Sequence, residues 1–246
     1  MDRLLYVAMS GAKQIMQAQE LNANNLANAA TTGFRADLAA MKALPVYGPG
    51  YASRVYVQAQ GGGVDVSQGS SEHTGRAMDV VVKGKGWIAV QAPDGTEAYT
   101  RAGNLHVTET GQLLTGNDLP VLGNGGPIAI PPAQKIDIGT DGTVSIVPQG
   151  QQAQTLAAVD RIKLVKLDAS QLTKDAEGLL RLNTGVSAAP DASITLATGA
   201  LESSNVNGIK SMISMIDLSR QYEMQLKVMK TAQDNADASS RMMQMN

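Results

Sequence analysis

Val206-Asn207-Gly208-Ile209-Lys210-Ser211-Met212-Ile213-Ser214-Met215-Ile216-Asp217-Leu218 opens a long apolar periodicity that runs on through Tyr222, Leu226 and Met229. The spacing predicts a helix from about Asn205 to Met243. Its apolar residues form two stripes. Val206, Ile209, Met212, Ile213 and Ile216 share one face. Met215, Leu218, Tyr222, Leu226, Met229 and Ala236 share another, roughly half a turn away. A helix that is apolar on two sides has to be covered on two sides. One cover can come from elsewhere in the chain, and the other is left for a β-domain or a second molecule.

The other end of the chain supplies the first cover. Leu4, Ala8, Gly11, Ala12, Ile15, Ala18, Asn22 and Leu26 fall on one helical stripe within residues 4 to 28, opposite Arg3, Lys13, Gln17 and Glu20. The small residues Ala8, Gly11, Ala12 and Ala18 permit close approach of another helix. Asn22 lies on the stripe and Asn25 at its edge, and a polar residue in an apolar seam fixes register and partner at a cost in stability. Thr31-Thr32-Gly33 ends the helix, with Gly33 suited to a left-handed turn. The two terminal helices are therefore expected to pair as a helical hairpin or coiled coil.

Between them the pattern changes from helical to β. Asp94-Gly95, Asn124-Gly125 and Asp141-Gly142 are hairpin dipeptides. Short β-branched runs lie among them: Val80-Val81-Val82, Trp87-Ile88-Ala89-Val90, Val144-Ser145-Ile146-Val147 and Ile162-Lys163-Leu164-Val165. Strands in this arrangement pair as antiparallel neighbours, not as βαβ units. The fold class is α+β, with N- and C-terminal helices around an antiparallel β-rich region. The expected division is an N-terminal helical segment 1–34, an extended β/loop connector 35–75 containing Gly61-Gly62-Gly63, a β-rich outer domain 76–199, and a C-terminal helical segment 200–246.

Composition narrows the function. Of 246 residues, 43% are hydrophobic but only 3% aromatic, so the core packs on Ala, Val, Leu, Ile and Met instead of the aromatics that dominate many enzyme cores. The net charge is −2, and Lys and Arg are scattered singly. That argues against a nucleic-acid partner and against an anionic membrane. There is no Cys, which excludes disulfides, thiolate metal sites and Cys nucleophiles. The apolar run Leu4 to Met9 ends too soon for a cleavable signal peptide. No segment reaches the roughly 20 apolar residues of a membrane span.

Catalytic constellations are missing. His73 and His106 have no partner at metal-ligand spacing. Gly84-Lys85-Gly86 lacks the spacing and the following helix of a phosphate loop and reads as a turn. Asp137 to Gly142 hints at a calcium loop but lacks its terminal Glu, and reads as a strand followed by a hairpin. No catalytic, cofactor-binding or metal-binding residues are assigned. The candidate site is an assembly interface: Leu4, Ala8, Gly11, Ile15, Asn22, Asn25 and Leu26 on the first helix, and Val206, Ile209, Ile213, Ile216, Leu218, Tyr222, Leu226 and Met229 on the second.

Three stretches together resemble one family. Asn24-Asn25-Leu26-Ala27-Asn28 through Thr31-Thr32-Gly33-Phe34-Arg35 resembles the N-terminal signature of bacterial flagellar rod and hook proteins. Asp79 to Val90, then Tyr99-Thr100-Arg101-Ala102-Gly103-Asn104-Leu105 and Gly111 to Thr115, resembles their shared central region. Gly199-Ala200-Leu201-Glu202-Ser203-Ser204-Asn205-Val206, with Arg220-Gln221-Tyr222-Glu223, resembles their C-terminal signature. The opening from Met1 to Ala12 is similar to that of proximal-rod members. A distal-rod or hook-type paralogue is the alternative, and a β-rich binding domain with helical ends is a third reading. The resemblance implies a non-enzymatic subunit that self-assembles into the helical, tubular drive shaft of the basal body and transmits torque to hook and filament. It implies export by the flagellar type III apparatus without signal cleavage, and a place in the periplasmic rod. The implied partners are proximal rod subunits, the distal rod protein and neighbouring copies, with no cofactor, no nucleic acid and no membrane insertion.

Overall fold

The computed structural model describes residues 2–45, 55–149, 156–175 and 178–244. Helix α1 spans Asp2–Ala27 and helix α2 spans Gly208–Gln244. Between them run strands β1 (Asp37–Pro45), β2 (Val55–Val64), β3 (Ser71–His73), β4 (Val80–Val82), β5 (Gly86–Gln91), β6 (Glu97–Thr100), β7 (His106–Val107) and β8 (Leu113–Leu114). They are followed by β9 (Ala133–Ile138), β10 (Thr143–Pro148), β11 (Ala157–Arg161), β12 (Leu164–Lys166), β13 (Leu172–Lys174), β14 (Leu180–Leu182), β15 (Leu196–Thr198) and β16 (Ala200–Glu202). The class is α+β, as the two periodicities in the sequence required. Contacts divide the chain into two compact units. The helical unit holds residues 1–27, 37–62 and 207–246, and the β unit holds 28–36 and 63–206.

The β unit is organised by β5. An antiparallel sheet runs in the order β12-β5-β6-β14-β13. Successive side chains of a strand point to opposite faces, and both faces of β5 are buried. Ile88 and Val90 enter a large aliphatic cluster with Val80, Leu105, Leu113, Val144, Leu164 and Leu196. Trp87 and Ala89 enter a smaller one with Tyr99, Val165, Leu172 and Leu180. A strand covered on both sides reads as a continuous apolar run, and Trp87-Ile88-Ala89-Val90 is one. The Tyr99 hydroxyl accepts a hydrogen bond from Ala188 N at 2.9 Å, and burial pushes its pKa up to about 12.

The turns follow their residues. Gly95 (φ +82°) closes the β5–β6 hairpin and Gly142 (φ +88°) the β9–β10 hairpin. At Asn124-Gly125 the positive φ falls one residue later, on Gly126 (φ +128°). Asp141 accepts hydrogen bonds from Thr143 N at 3.1 Å and Thr143 Oγ1 at 2.7 Å, so the calcium-like loop is a hairpin whose Asp caps its own turn.

In the helical unit, α1 packs against both α2 and β1. Its buried residues are Ala8, Ala12, Ile15 and Ala18. Residues 35–75, expected as one extended connector, are divided between the two units, and β1 and β2 pair as a two-stranded sheet. Within the glycine run, Gly62 meets a spatial demand, since a Cβ there would lie 2.2 Å from Leu38 O on the neighbouring strand. Residues 46–54 lie outside the described set. Asn207 starts α2, its Oδ1 accepting a hydrogen bond from Lys210 N at 3.0 Å as an N-cap.

Candidate assembly interface

The two stripes of α2 have different surroundings. Ser211 and Ala232 are buried, and Met215, Leu218, Tyr222 and Met229 are half-buried. This side faces α1. A Cβ on Gly11 would touch the Gln225 side chain at 3.4 Å, and Asn22 Nδ2 donates to Ser211 O at 2.7 Å. The small residues of α1 therefore allow the close approach anticipated, and Asn22 is the polar tie across the seam. Leu226 lies at the flank of this side, 44% exposed. The opposite stripe is open. Ile209 is 73% exposed, Met212 55%, Ile213 56% and Ile216 54%.

The other candidate residues separate by their neighbours. Ala8 and Ile15 are buried, and Leu26 is half-buried. The Leu4 side chain lies outside the described set. Val206 belongs to the β unit and not to α2. Asn25 is held by the start of β1. Its Nδ2 donates to Asp37 O at 2.9 Å, and its Oδ1 accepts from Asp37 N at 2.8 Å. An amide side chain that satisfies a backbone donor and acceptor together anchors the strand start to the helix. Asn25→Leu is therefore expected to loosen β1 within the single chain, at about 1–2 kcal/mol for the two lost bonds. Hydrogen exchange at the Asp37 amide checks this, and unchanged protection would contradict it.

A buried ionic cluster in the β unit was not foreseen. Arg35, Arg101 and Glu202 are each at most 2% exposed. Glu202 is shared between the guanidinium groups, with Oε1 on Arg35 Nη2 and Oε2 on Arg101 Nη1 at 2.9 Å. Oε1 also accepts from Gly69 N at 2.9 Å. Arg101 Nη2 donates to Gly84 O at 2.6 Å. Burial pulls the Arg101 pKa below its ordinary value, and the Glu202 carboxylate opposes that shift. Arg35 Nε and Nη1 and Arg101 Nε are buried without hydrogen-bond partners. The Trp87 ring stands in for them, with its centroid 5.0 Å from Arg101 Cζ and 5.7 Å from Arg35 Cζ, in cation–π range. Each charge stands near a Gly in the quoted signatures: Gly33-Phe34-Arg35, Arg101-Ala102-Gly103 and Gly199-Ala200-Leu201-Glu202. A charge beside a Gly in each of the three signatures is a signal that could have marked these residues.

The same cluster gathers three passages of the chain. Gly33 N donates to Glu202 O at 2.8 Å, and Asp65 N to Ala36 O at 2.8 Å. The Asn205 side chain bridges them, accepting from Ala36 N at 2.8 Å and donating to Asp65 O at 2.9 Å. Residues 33–36, 65–69 and 202–205 are thus tied to one another inside the β unit.

The cluster lies in the stretches that family comparison singles out. Three family models match: "Flagella basal body rod protein" over residues 5–35, "Flagellar hook protein FlgE/F/G D1 domain" over 81–146, and "Flagellar basal body rod FlgEFG protein C-terminal" over 197–242. The chain is 41% identical to the flagellar basal-body rod protein FlgF of Salmonella typhimurium and 41% identical to that of Escherichia coli, in each case over 100% of both chains. It is 32% identical to the flagellar basal-body rod protein FlgG of Bacillus subtilis, over 94% of this chain and 96% of that one. These relatives are structural proteins and not enzymes. With full-length identity at this level and family matches at both ends and the centre, the chain belongs to the flagellar basal-body rod protein family, as a FlgF-like structural subunit of the basal body.

Proposed function

We propose that this protein is a proximal-rod subunit whose terminal helices pair as a coiled coil in a helical, tubular shaft that carries motor torque to the hook and filament. Its neighbours in this reading are further copies, other proximal rod subunits and the distal rod protein. It reaches the periplasmic rod through the flagellar type III export apparatus, without signal cleavage. Among the described residues no helix is long and apolar enough to cross a membrane. The 41% identity to FlgF proteins over the full length favours the proximal assignment over the distal one.

One observation carries the assembly reading: the four-residue apolar stripe of α2 that α1 leaves open. Covering water-exposed Ile and Met at helical spacing contributes about 1.5–3 kcal/mol for each large side chain that becomes fully buried, against the entropy cost of association. A neighbouring subunit is the cover this function supplies. Ile213→Asp tests it. In the single chain the site is solvated, so unfolding stability should change by no more than about 0.5 kcal/mol. In the assembly the carboxylate would be desolvated without a partner, and rods should be absent from purified basal bodies. Normal rod yield from this variant would overturn the reading.

A further inference from the structure

The chain holds two Asn-Gly dipeptides, Asn124-Gly125 and Asn207-Gly208. Asn is a thermolabile residue, because the next main-chain nitrogen can attack its side-chain carbon and close a cyclic imide. Gly opposes that attack least, since it has no Cβ and the widest backbone freedom. Local structure decides whether the reaction runs. The side chain has to swing over the following nitrogen, and that nitrogen has to be free.

The two dipeptides stand in opposite conditions. Asn124 and Gly125 are exposed, in a turn that Gly123 N closes on Gly126 O at 2.7 Å. Among the described residues no hydrogen bond holds the Asn124 side-chain amide or occupies Gly125 N. A Cβ on Gly125 would meet no atom within 4 Å. Asn124 N donates to Asp160 Oδ1 at 3.4 Å, which steadies the main chain and leaves the side chain loose. Lys163 lines the same cleft as Asn124, but its amine is tied up with Glu97 at 2.8 Å, and both of those side chains are at most 15% exposed. The free nucleophile beside Asn124 is therefore Gly125 N. Asn207 is the reverse case. Its Oδ1 accepts from Lys210 N at 3.0 Å and its carbonyl from Ser211 N at 3.0 Å, while Gly208 begins α2. The cap engages the amide with the helix, and the helical backbone fixes the nitrogen that would attack it.

We propose that Asn124 is a site of spontaneous deamidation and isoaspartate formation, with Asn207 spared. Gly125 N gives its proton to solvent and attacks Asn124 Cγ. The Cγ–Nδ2 bond breaks, and Nδ2 leaves as ammonia. Water then opens the succinimide at Cγ, giving aspartate, or at the main-chain carbonyl carbon, giving isoaspartate. One water enters and one ammonia leaves, so no oxidant or reductant is needed. Either product sets a new carboxylate near Asp160. Isoaspartate also adds a main-chain carbon to the turn that joins buried Val121 and Ile128. Nothing in the reaction restores the amide, so the modified fraction records the age of the molecule. Residue 124 lies in the β unit and the terminal helices in the other, so the inference goes beyond the assembly reading and does not depend on it.

The test uses the folded, full-length protein, incubated in buffer for days, digested with trypsin and read by fragment mass spectrometry. Asn124 falls in peptide 102–135 and Asn207 in peptide 182–210. The expected result is a gain of about 1 Da at Asn124, with the isoaspartate fraction accepting a methyl group from an isoaspartyl methyltransferase. Asn207 should react about fivefold more slowly or less, the protection an N-cap hydrogen bond supplies. In denaturant, which removes the cap, the two sites should react alike. Gly125→Ala should slow the reaction at Asn124 about tenfold by crowding and restricting the attacking nitrogen, with Trp87 fluorescence showing that the β unit stays folded. Equal rates at the two sites in the folded protein would overturn the proposal. So would an unmodified Asn124 under conditions where the denatured chain reacts at both. A lasting loss of ammonia that joined the Asn124 peptide to Lys163 would also overturn it, by assigning the amide to a cross-link.

Discussion

Glu202→Ala is expected to destabilise the β unit by about 3–5 kcal/mol, the cost of leaving buried charges without their partner. Among the described residues, the Glu202 carboxylate is the one anion paired with these two guanidinium groups, which are at most 2% exposed. Without it Arg35 and Arg101, both close to the Trp87 ring, would repel each other in a low-dielectric setting. Gly69 N would also lose its acceptor. Against a total stability of about 5–15 kcal/mol for an ordinary domain, this loss is large. Trp87 is the single tryptophan of the chain, so its fluorescence during denaturant unfolding reports on this cluster directly. A paired change, Arg35→Met with Glu202→Leu, should cost less than Glu202→Ala alone, because it leaves a smaller uncompensated charge. A Glu202→Ala loss below about 1 kcal/mol would show that water or rearrangement satisfies the arginines, contrary to the burial described.

The second large effect concerns backbone geometry. Gly33→Ala should destabilise the same unit by about 3 kcal/mol or more, combining left-handed strain of roughly 1–2 kcal/mol with overpacking of 1–3 kcal/mol. Gly33 sits at φ +69°, and a Cβ there would lie 2.3 Å from Ala102 N and from the Arg101 carbonyl carbon. Those are main-chain atoms and cannot rotate away. Gly125→Ala is the control, since nothing lies within 4 Å of its position and its φ is not in the left-handed region. It should change stability by no more than about 0.5 kcal/mol. Equal melting of the two variants would contradict the close approach at Gly33.

These two sites mark the boundary of what the sequence discloses. Periodicity revealed both helices because a stripe is a local property, visible in a window of a dozen residues. It also separated the two faces of α2, which differ in the structure as they differ on paper: Leu218, Tyr222 and Met229 toward α1, Ile209, Ile213 and Ile216 toward solvent. The turns at Gly95 and Gly142 were legible for the same reason. Asn25 was not. Its position on the helix suggested the seam, and only the course of the chain after Ala36 brings Asp37 within reach of its amide. Arg35, Arg101 and Glu202 were visible as letters in three signatures. Nothing local says that residues so far apart meet, because ion pairing carries no period. Gly33 was assigned a left-handed turn correctly, yet the closer reason for glycine there, the main chain of Arg101 and Ala102, is long-range. Gly62 shows the same limit, since its close approach to Leu38 O is long-range and a glycine run does not announce it.

The tie between residues 33–36, 65–69 and 202–205 also governs when the β unit can finish folding. Arg35 and Glu202 are 167 positions apart, and Asn205 reaches back 140 positions to Asp65. Contacts of such separation are slow to form, because much chain must be ordered before they reward it. A ribosome, or any channel that delivers the chain amino end first, releases Arg35 ahead of Glu202 by 167 positions. Until then Arg35 and Arg101 have no counter-ion, and burying them is unfavourable. The late carboxylate therefore sets an order of events: this tie cannot close until residue 202 has emerged.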